Sequence, residues 1–447
     1  MKKFLTLLPF LFLVAFGTET CNMPSPSFPP FPTPEVQWPF SETYLVFELD
    51  PSTGAKCLDG SNYKFYFAKG SGSGLNKWMF SWEGGAFCGI DGYETIESCY
   101  YRSKTPLGSS SYWGDNGTSI TSNEAQGYFS SMEEYNPDFY NWNKVLIKYC
   151  DGSNHQGFSE EPVIYEGESL WFRGFNNSMA TIEYLRDNLG LFDANEIILS
   201  GGSAGGQATY MWSSFLQDFF PKRIKLMGIP DAGMFLDVYN NLTGCHLFRY
   251  LNSRIANITK SQNLEFFKNC RYANSEEVWK CMIAEYILED IHIPMFIVNS
   301  QDDYEAMKTQ YGVLCISEDI NSCTDSDFTR IAEFREKFLR INFHIKERRP
   351  NWGFWLRTCF EHVYQGTWAW YGQNKNVFNE ELNTTMNLKD ALHYWYNEGD
   401  IEDFNRAAFI DVQDWKHNPN CHFTNNSTKK SSGFRDKKVN INQLFLF

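Results

Sequence analysis

Beyond residue 16 the chain has no apolar run long enough to cross a bilayer, so no later membrane-spanning helix is expected. A basic surplus is missing too. With 54 acidic residues against 39 Lys and Arg, the net charge of −15 has the wrong sign for a phosphate backbone and excludes nucleic-acid binding. A polyanionic ligand would need a locally basic groove. No C-x-x-C pairs with a second ligand pair at finger-like spacing. Cys245-His246 and Cys421-His422 stand alone, and no structural zinc is expected. No internal repeat is present.

What is there points to the secretory route. Lys2 and Lys3 precede an apolar stretch, Phe4 to Phe16, and Ala15 and Gly17 are small residues suited to a cleavage site. Residues 1–17 therefore read as a signal peptide, with the mature chain starting near Thr18. All 12 cysteines lie beyond that point, and an even count in an oxidising compartment implies disulfides. Their pairing is open, except that Cys88 and Cys99 would close a short loop. The sequons at Asn116, Asn176, Asn241, Asn257, Asn383, Asn425 and Asn426 are expected to carry glycans in part. Aromatics reach 17%, a surplus expected mostly in the core, with some free to stack on sugars or line an acyl pocket.

A proline-rich stretch from Pro24 to Pro39 reads as an extended linker, residues 18–42, and one folded domain is expected over 43–424. Tyr44–Leu49 and Tyr63–Ala68 read as an opening hairpin. Short apolar runs at Lys77–Trp82, Lys144–Tyr149, Glu196–Ser200, Ile224–Ile229 and Pro294–Asn299 read as buried strands. Between them, Leu170–Leu189 and Gln207–Phe219 have helical spacing, and Asn240–Glu289 is helical in tone, an insertion or cap. Buried strands alternating with helices imply an α/β fold, a mostly parallel central sheet with helices on both faces. The tail at 425–447, with Lys429, Lys430, Arg435, Lys437 and Lys438, is polar and basic and is expected to be disordered.

Gly201-Gly202-Ser203-Ala204-Gly205 fits G-x-S-x-G, with a β-branched strand before it and a helix after it. A nucleophile must stand on a tight strand-to-helix turn, and only small neighbours permit that backbone. An acyl-transfer site also needs donors for the developing oxyanion. Ala204 supplies one N–H. Gly85 and Ala86, in the Gly loop after the Lys77–Trp82 strand, are candidates for the others. An acid and then a histidine should follow in sequence. Asp302 and Asp303 both suit the acid, closing the strand at Asn299. Five histidines lie downstream: His344, His362, His393, His417 and His422. His344 alternates with apolar neighbours and looks strand-like. His362, in a loop-like aromatic segment after Cys359, leads as general base.

Taken together, these residues resemble the pectin acetylesterase family, which includes plant wall enzymes and Notum-type lipid carboxylesterases. The likeness runs from about Thr43 to Phe423. It is carried by Trp82-Glu-Gly-Gly-Ala-Phe-Cys, Cys99-Tyr-Tyr-Arg, Leu107-Gly-Ser-Ser, Tyr149-Cys-Asp-Gly, Phe172-Arg-Gly and Ser200-Gly-Gly-Ser-Ala-Gly-Gly. Asp231-Ala-Gly-Met-Phe-Leu-Asp, Asn299-Ser-Gln-Asp-Asp, Cys359-Phe-Glu-His and Asn420-Cys-His continue it. The resemblance implies an α/β-hydrolase-like fold and a Ser-Asp-His triad. It matches Ser203 to the nucleophile, Asp303 to the acid, His362 to the base, and Gly85, Ala86 and Ala204 to the oxyanion donors. Asp302 stays as the alternative acid. The chain departs from the family at Gly85-Ala86-Phe87, where Gly-Gly-Trp or Gly-Gly-Gly-Trp is usual. It departs also at Asp302 and Ala306, where plant members have Tyr and Gln, and at Val363, where they have a cysteine used in a disulfide.

The reading that follows is a secreted serine ester hydrolase that removes acetyl groups from a polysaccharide such as pectin. A Notum-like carboxylesterase acting on a longer acyl chain is the alternative. A non-catalytic binding protein of the same fold comes third. An acylated polysaccharide or other ester is the expected partner, the chain is expected to be a monomer, and no cofactor or metal is called for.

Overall fold

The apolar runs of the sequence become strands buried along nearly their whole length. The computed structural model describes residues 21–23, 42–122, 127–260, 265–318, 320–364, 370, 376–379, 383–398, 407–418 and 421. The leader at 1–17, most of the proline-rich linker and the tail at 425–447 lie outside them. The strands are β1 (Glu42–Glu48), β2 (Lys64–Ala68), β3 (Lys77–Trp82), β4 (Ser119–Ser122), β5 (Asn143–Ile147), β6 (Val163–Tyr165), β7 (Glu168–Leu170), β8 (Glu196–Gly202), β9 (Lys225–Asp231), β10 (Phe296–Ser300), β11 (Gly353–Arg357), β12 (Val377–Asn379), β13 (Thr384–Met386) and β14 (Ala408–Ile410).

One large sheet has the order β14-β11-β10-β9-β8-β3-β5-β2-β1-β4; β6-β7 and β12-β13 are separate hairpins. Every pairing from β14 to β5 is parallel. The expected β1–β2 pair is antiparallel, and with β4 it closes the other edge. Parallel strands need crossovers, and crossover helices cover the sheet faces. That is why β5, β10 and β11 are buried at every residue.

The helices are α1 (Thr95–Arg102), α2 (Gly174–Leu189), α3 (Ala204–Leu216), α4 (Leu247–Thr259), α5 (Ala284–Ile287), α6 (Tyr304–Thr309), α7 (Cys315–Glu318) and α8 (Asp325–Arg348), with a further short helix at Leu388–His393. All of α3 is buried, as its all-round apolar and small composition requires. The expected Leu170–Leu189 helix starts late. Leu170 ends β7, and α2 begins at Gly174 and stops at Gly190, whose φ of +75° suits glycine. The segment Asn240–Glu289 is helical only in pieces, namely α4, α5 and short turns between them.

His344 is not in a strand. It lies exposed in the long helix α8. Ile341, Phe343 and Ile345 alternate in sequence, but Phe343 is 44% exposed. The buried stripe is Ile331, Phe334, Phe338, Asn342 and Ile345, spaced three and four apart. A capping box at Thr324 and Asp327 starts this helix.

The aromatic surplus goes largely into the core. Trp82 stacks on Trp212, and Trp212 on Phe175, each pair with centroids 5.6 Å apart. All 12 cysteines are paired: Cys21–Cys245, Cys57–Cys150, Cys88–Cys99, Cys270–Cys281, Cys315–Cys323 and Cys359–Cys421. The Cys88–Cys99 expectation holds, and the sulfurs beside His246 and His422 are thereby committed to disulfides. Cys21, on the linker side of the domain, is tied to Cys245.

The register aligns the carboxyl ends of the central strands. Trp82 lies opposite Gly201, Gly202 opposite Asp231, and Ser300 opposite Arg357. In open α/β sheets that edge is where ligands bind.

Candidate active site

β8 ends at Gly202 and α3 begins at Ala204, so Ser203 alone makes the turn. Its φ of 56° and ψ of −119° are strained for a residue with a Cβ. Two hydrogen bonds hold it: Ser203 N donates to Asp231 O at 2.9 Å, and Gln207 N donates to Ser203 O at 2.9 Å. Close approach explains the glycines around it. A Cβ on Gly205 would lie 1.8 Å from Trp82 O, and one on Gly84 2.6 Å from Gly202 O.

The chain brings three of the sequence candidates into one relay. Ser203 Oγ is 2.8 Å from His362 Nε2. On the other side of the ring, His362 Nδ1 lies 2.8 Å from Asp303 Oδ2 and 3.0 Å from Oδ1. An anionic Asp303 can only accept, so Nδ1 carries the proton and Nε2 of the neutral ring is left to take one from Ser203. The His362 side chain is 5% exposed. Burial pulls its pKa down, but the charge and hydrogen bond of Asp303, with Glu305 and Asp231 behind them, outweigh burial and hold it above the ordinary 6.5.

Asp302, the alternative acid, points elsewhere. It is fully buried, and neither carboxyl oxygen has a hydrogen-bond partner among the described residues. Burial pushes its pKa up to about 7 against the pull of Arg335, with Asp414 and Asp411 adding to the rise. The other described candidate histidines serve elsewhere: His344 faces Glu289, His393 faces Asp138 and His417 faces Asp414. His422 lies outside the described residues.

Gly85 and Ala86 form the loop after β3, with φ of 131° and 56°. The N–H groups of Gly85, Ala86 and Ala204 have no acceptor among the described residues. The loop is braced from behind. Glu83 is paired with Lys148 at 2.5 Å and accepts from Tyr149 N at 2.7 Å. His155 Nε2 donates to Glu83 O at 2.9 Å. Burial lowers the His155 pKa to about 4, so this ring stays neutral. Buried Arg102 donates from Nη1 to Gly85 O at 2.8 Å and from Nε to Leu107 O at 3.0 Å, and lies over the Tyr149 ring.

The loop carrying His362 is fixed at both ends. Asp231 Oδ2 accepts from Tyr364 N at 2.7 Å. Ser300 Oγ donates to Cys359 O, and Cys359 is bonded to Cys421.

A cavity of about 70 Å³ opens beside Ser203 and His362. Phe87, Ile90, Phe235 and Phe248 give it an apolar wall; Tyr304, Glu305 and Thr309 of the α6 region stand on another. A larger cavity, about 360 Å³, lies between α8 and the segment Asp414–Lys416. Of the sequence candidates it touches only Asp302, and Ser203, His362 and Asp303 do not line it.

A family model described as Pectinacetylesterase matches residues 41–422. This chain belongs to that family. Pectin acetylesterase 5 of Arabidopsis thaliana is 32% identical to it over 388 residues, covering 83% of this chain and 83% of that protein. Pectin acetylesterase 11 of the same plant is 28% identical over 393 residues, covering 85% and 92%. Palmitoleoyl-protein carboxylesterase NOTUM of Schmidtea mediterranea is 25% identical over 378 residues, covering 80% of this chain and 65% of that protein. Among solved structures, the Wnt deacylase Notum from Drosophila matches with a TM-score of 0.67 at 21% identity, over 85% of this chain and 100% of that one. That likeness establishes the α/β-hydrolase-like fold. Family and relatives together support an esterase. The six disulfides suit an oxidising compartment, and no helix among the described residues is long and apolar enough to cross a membrane.

Sequence reasoning gave no role to Arg102, Asp231 or Glu305. Arg102 and Asp231 do stand in the segments that carried the family resemblance, Cys99-Tyr-Tyr-Arg and Asp231-Ala-Gly. Glu305 sits two residues after Asp303 and had no signal of its own.

Proposed function

We propose that the chain is a secreted serine esterase that removes acetyl groups from a polysaccharide, with Ser203 as nucleophile, His362 as general base and Asp303 as the acid that orients it. Ser203 Oγ attacks the ester carbonyl while Nε2 of His362 takes its proton. The N–H groups of Gly85, Ala86 and Ala204 receive the oxyanion. Collapse breaks the bond to the sugar oxygen, and His362 returns the proton to that leaving alcohol. Water, deprotonated by the same ring, then frees acetate from the serine. The Ser203–His362–Asp303 hydrogen bonds support the mechanism.

One observation supports the acetyl group in particular: the cavity beside Ser203 is only about 70 Å³. A long acyl chain needs a deep apolar slot, and pockets for drug-sized ligands run to several hundred Å³. The test is kcat/KM over p-nitrophenyl acetate, butyrate, hexanoate and octanoate, with acetate release from acetylated pectin alongside. Acetate should be the best ester, and Ser203→Ala should lower kcat by a factor on the order of 10⁶. Preference for octanoate would replace this reading by a lipid-type carboxylesterase.

A further inference from the structure

We propose that Glu305 sets the acyl specificity of this site, closing it to acyl chains longer than acetyl. This rests on the esterase reading above and adds the residue that limits the substrate. Glu305 lies on α6, which Asp303 starts by accepting from Ala306 N at 3.0 Å. The acid that orients His362 thus also places Glu305 in the cavity wall with Ser203, His362, Phe87, Ile90, Phe235 and Phe248. Thr309, one turn further on, lines the same cavity, its hydroxyl turned back to Glu305 O at 2.5 Å.

The carboxyl is out of place among those apolar side chains. Its side chain is 14% exposed, and Oε1 has no hydrogen-bond partner among the described residues. The Lys308 ammonium forms a long ion pair with Oε1 at 3.9 Å, without a hydrogen bond. Burial raises the Glu305 pKa, opposed by Lys308 and His362. The carboxyl is therefore a buried polar group in the cavity wall, with the Lys308 ammonium as its charge partner and Oε1 shut off from solvent. An acetyl group is short enough to stay clear of it. A longer chain lays methylenes against this polar group, which is unfavourable. The aromatic wall alone would favour each added methylene. Glu305 reverses that preference by occupying the space and by being polar.

The experiment compares wild type, Glu305→Ala, Glu305→Gln and Thr309→Val on the same four esters, after thermal melts show each variant folded. A single methylene in an apolar pocket is worth about tenfold or more, so Glu305→Ala should raise the hexanoate-to-acetate ratio of kcat/KM at least about tenfold. Glu305→Gln keeps size and polarity and should change the ratio less than about threefold. Thr309→Val, which leaves Glu305 in place, should do the same. An unchanged ratio in Glu305→Ala overturns the proposal while leaving the esterase reading intact. So does a Thr309→Val effect as large as that of Glu305→Ala, since the length limit would then lie elsewhere. A wild-type chain that cleaves none of the esters overturns both.

Discussion

Exchanging each of the adjacent carboxylates for its amide separates a stability role from a chemical one. Asp303→Asn keeps the cap on α6, because Asn serves as an N-cap as well as Asp does. It removes the anion facing His362 Nδ1 and can leave the ring in the wrong tautomer, so kcat should fall about 10⁴-fold with stability little changed. Asp302→Asn should do the reverse. The folded chain holds the Asp302 proton up to a pH of about 7, whereas the unfolded chain releases it near 3.8. Across that window the folded state binds the extra proton, so stability is present below the window and declines as pH rises through it. The decline amounts to at most about 4 kcal/mol. An amide does not titrate. Asp302→Asn should therefore match wild type near pH 4 and exceed it near pH 8, by about 5 °C in Tm for a domain of this size. Its kcat should stay within a few-fold. The measurement is a pair of thermal melts at the two pH values beside ester kinetics. A gain that is equal at both pH values, or a loss of 100-fold or more in kcat for Asp302→Asn, would refute the reasoning.

Two further outcomes follow from the same geometry. On the proposed mechanism the neutral His362 ring is the base, and its pKa is raised, so the acid limb of kcat/KM should fall above pH 6.5; in Asp303→Asn the residual activity should show that limb moved to lower pH. Arg102→Gln, which loosens the hold on Gly85 O behind the Ala86 N–H, should lower kcat about tenfold with KM little changed. Arg102→Lys should recover part of that loss, whereas a KM effect alone would contradict a role in oxyanion binding.

The sheet was legible where strands are continuous apolar runs, as at Lys77–Trp82, Glu196–Ser200 and Ile224–Ile229. It was not legible at β11, where the five-residue run Gly-Phe-Trp-Leu-Arg starts on glycine three residues after Pro350. In α8 a three-residue alternation around His344 mimics a strand, because the buried stripe of a charged helix is narrow. The strand-to-helix turn at Ser203 was legible because strain restricts its neighbours to small residues. Asp302 against Asp303 was not, since both lie in the turn between β10 and α6 and only the fold says which faces His362. The contacts of Arg102 with Gly85 and of Asp231 with Tyr364 join residues 17 and 133 positions apart, and no local pattern records such distances.

The disulfide Cys359–Cys421 has a consequence for the timing of activity. A growing chain makes Ser203 and its backbone donors early, and His362 comes 159 residues later. The loop that carries His362 is then locked by Cys421, near the end of the described chain, and by the docking of β14 at the sheet edge. Until oxidation joins those two cysteines, the His362 loop rests on hydrogen bonds alone, those of Asp231, Asp303 and Ser300. On the mechanism proposed above, ester hydrolysis therefore depends on that oxidation, and a chain reduced at this one bridge should lose activity before it loses its fold.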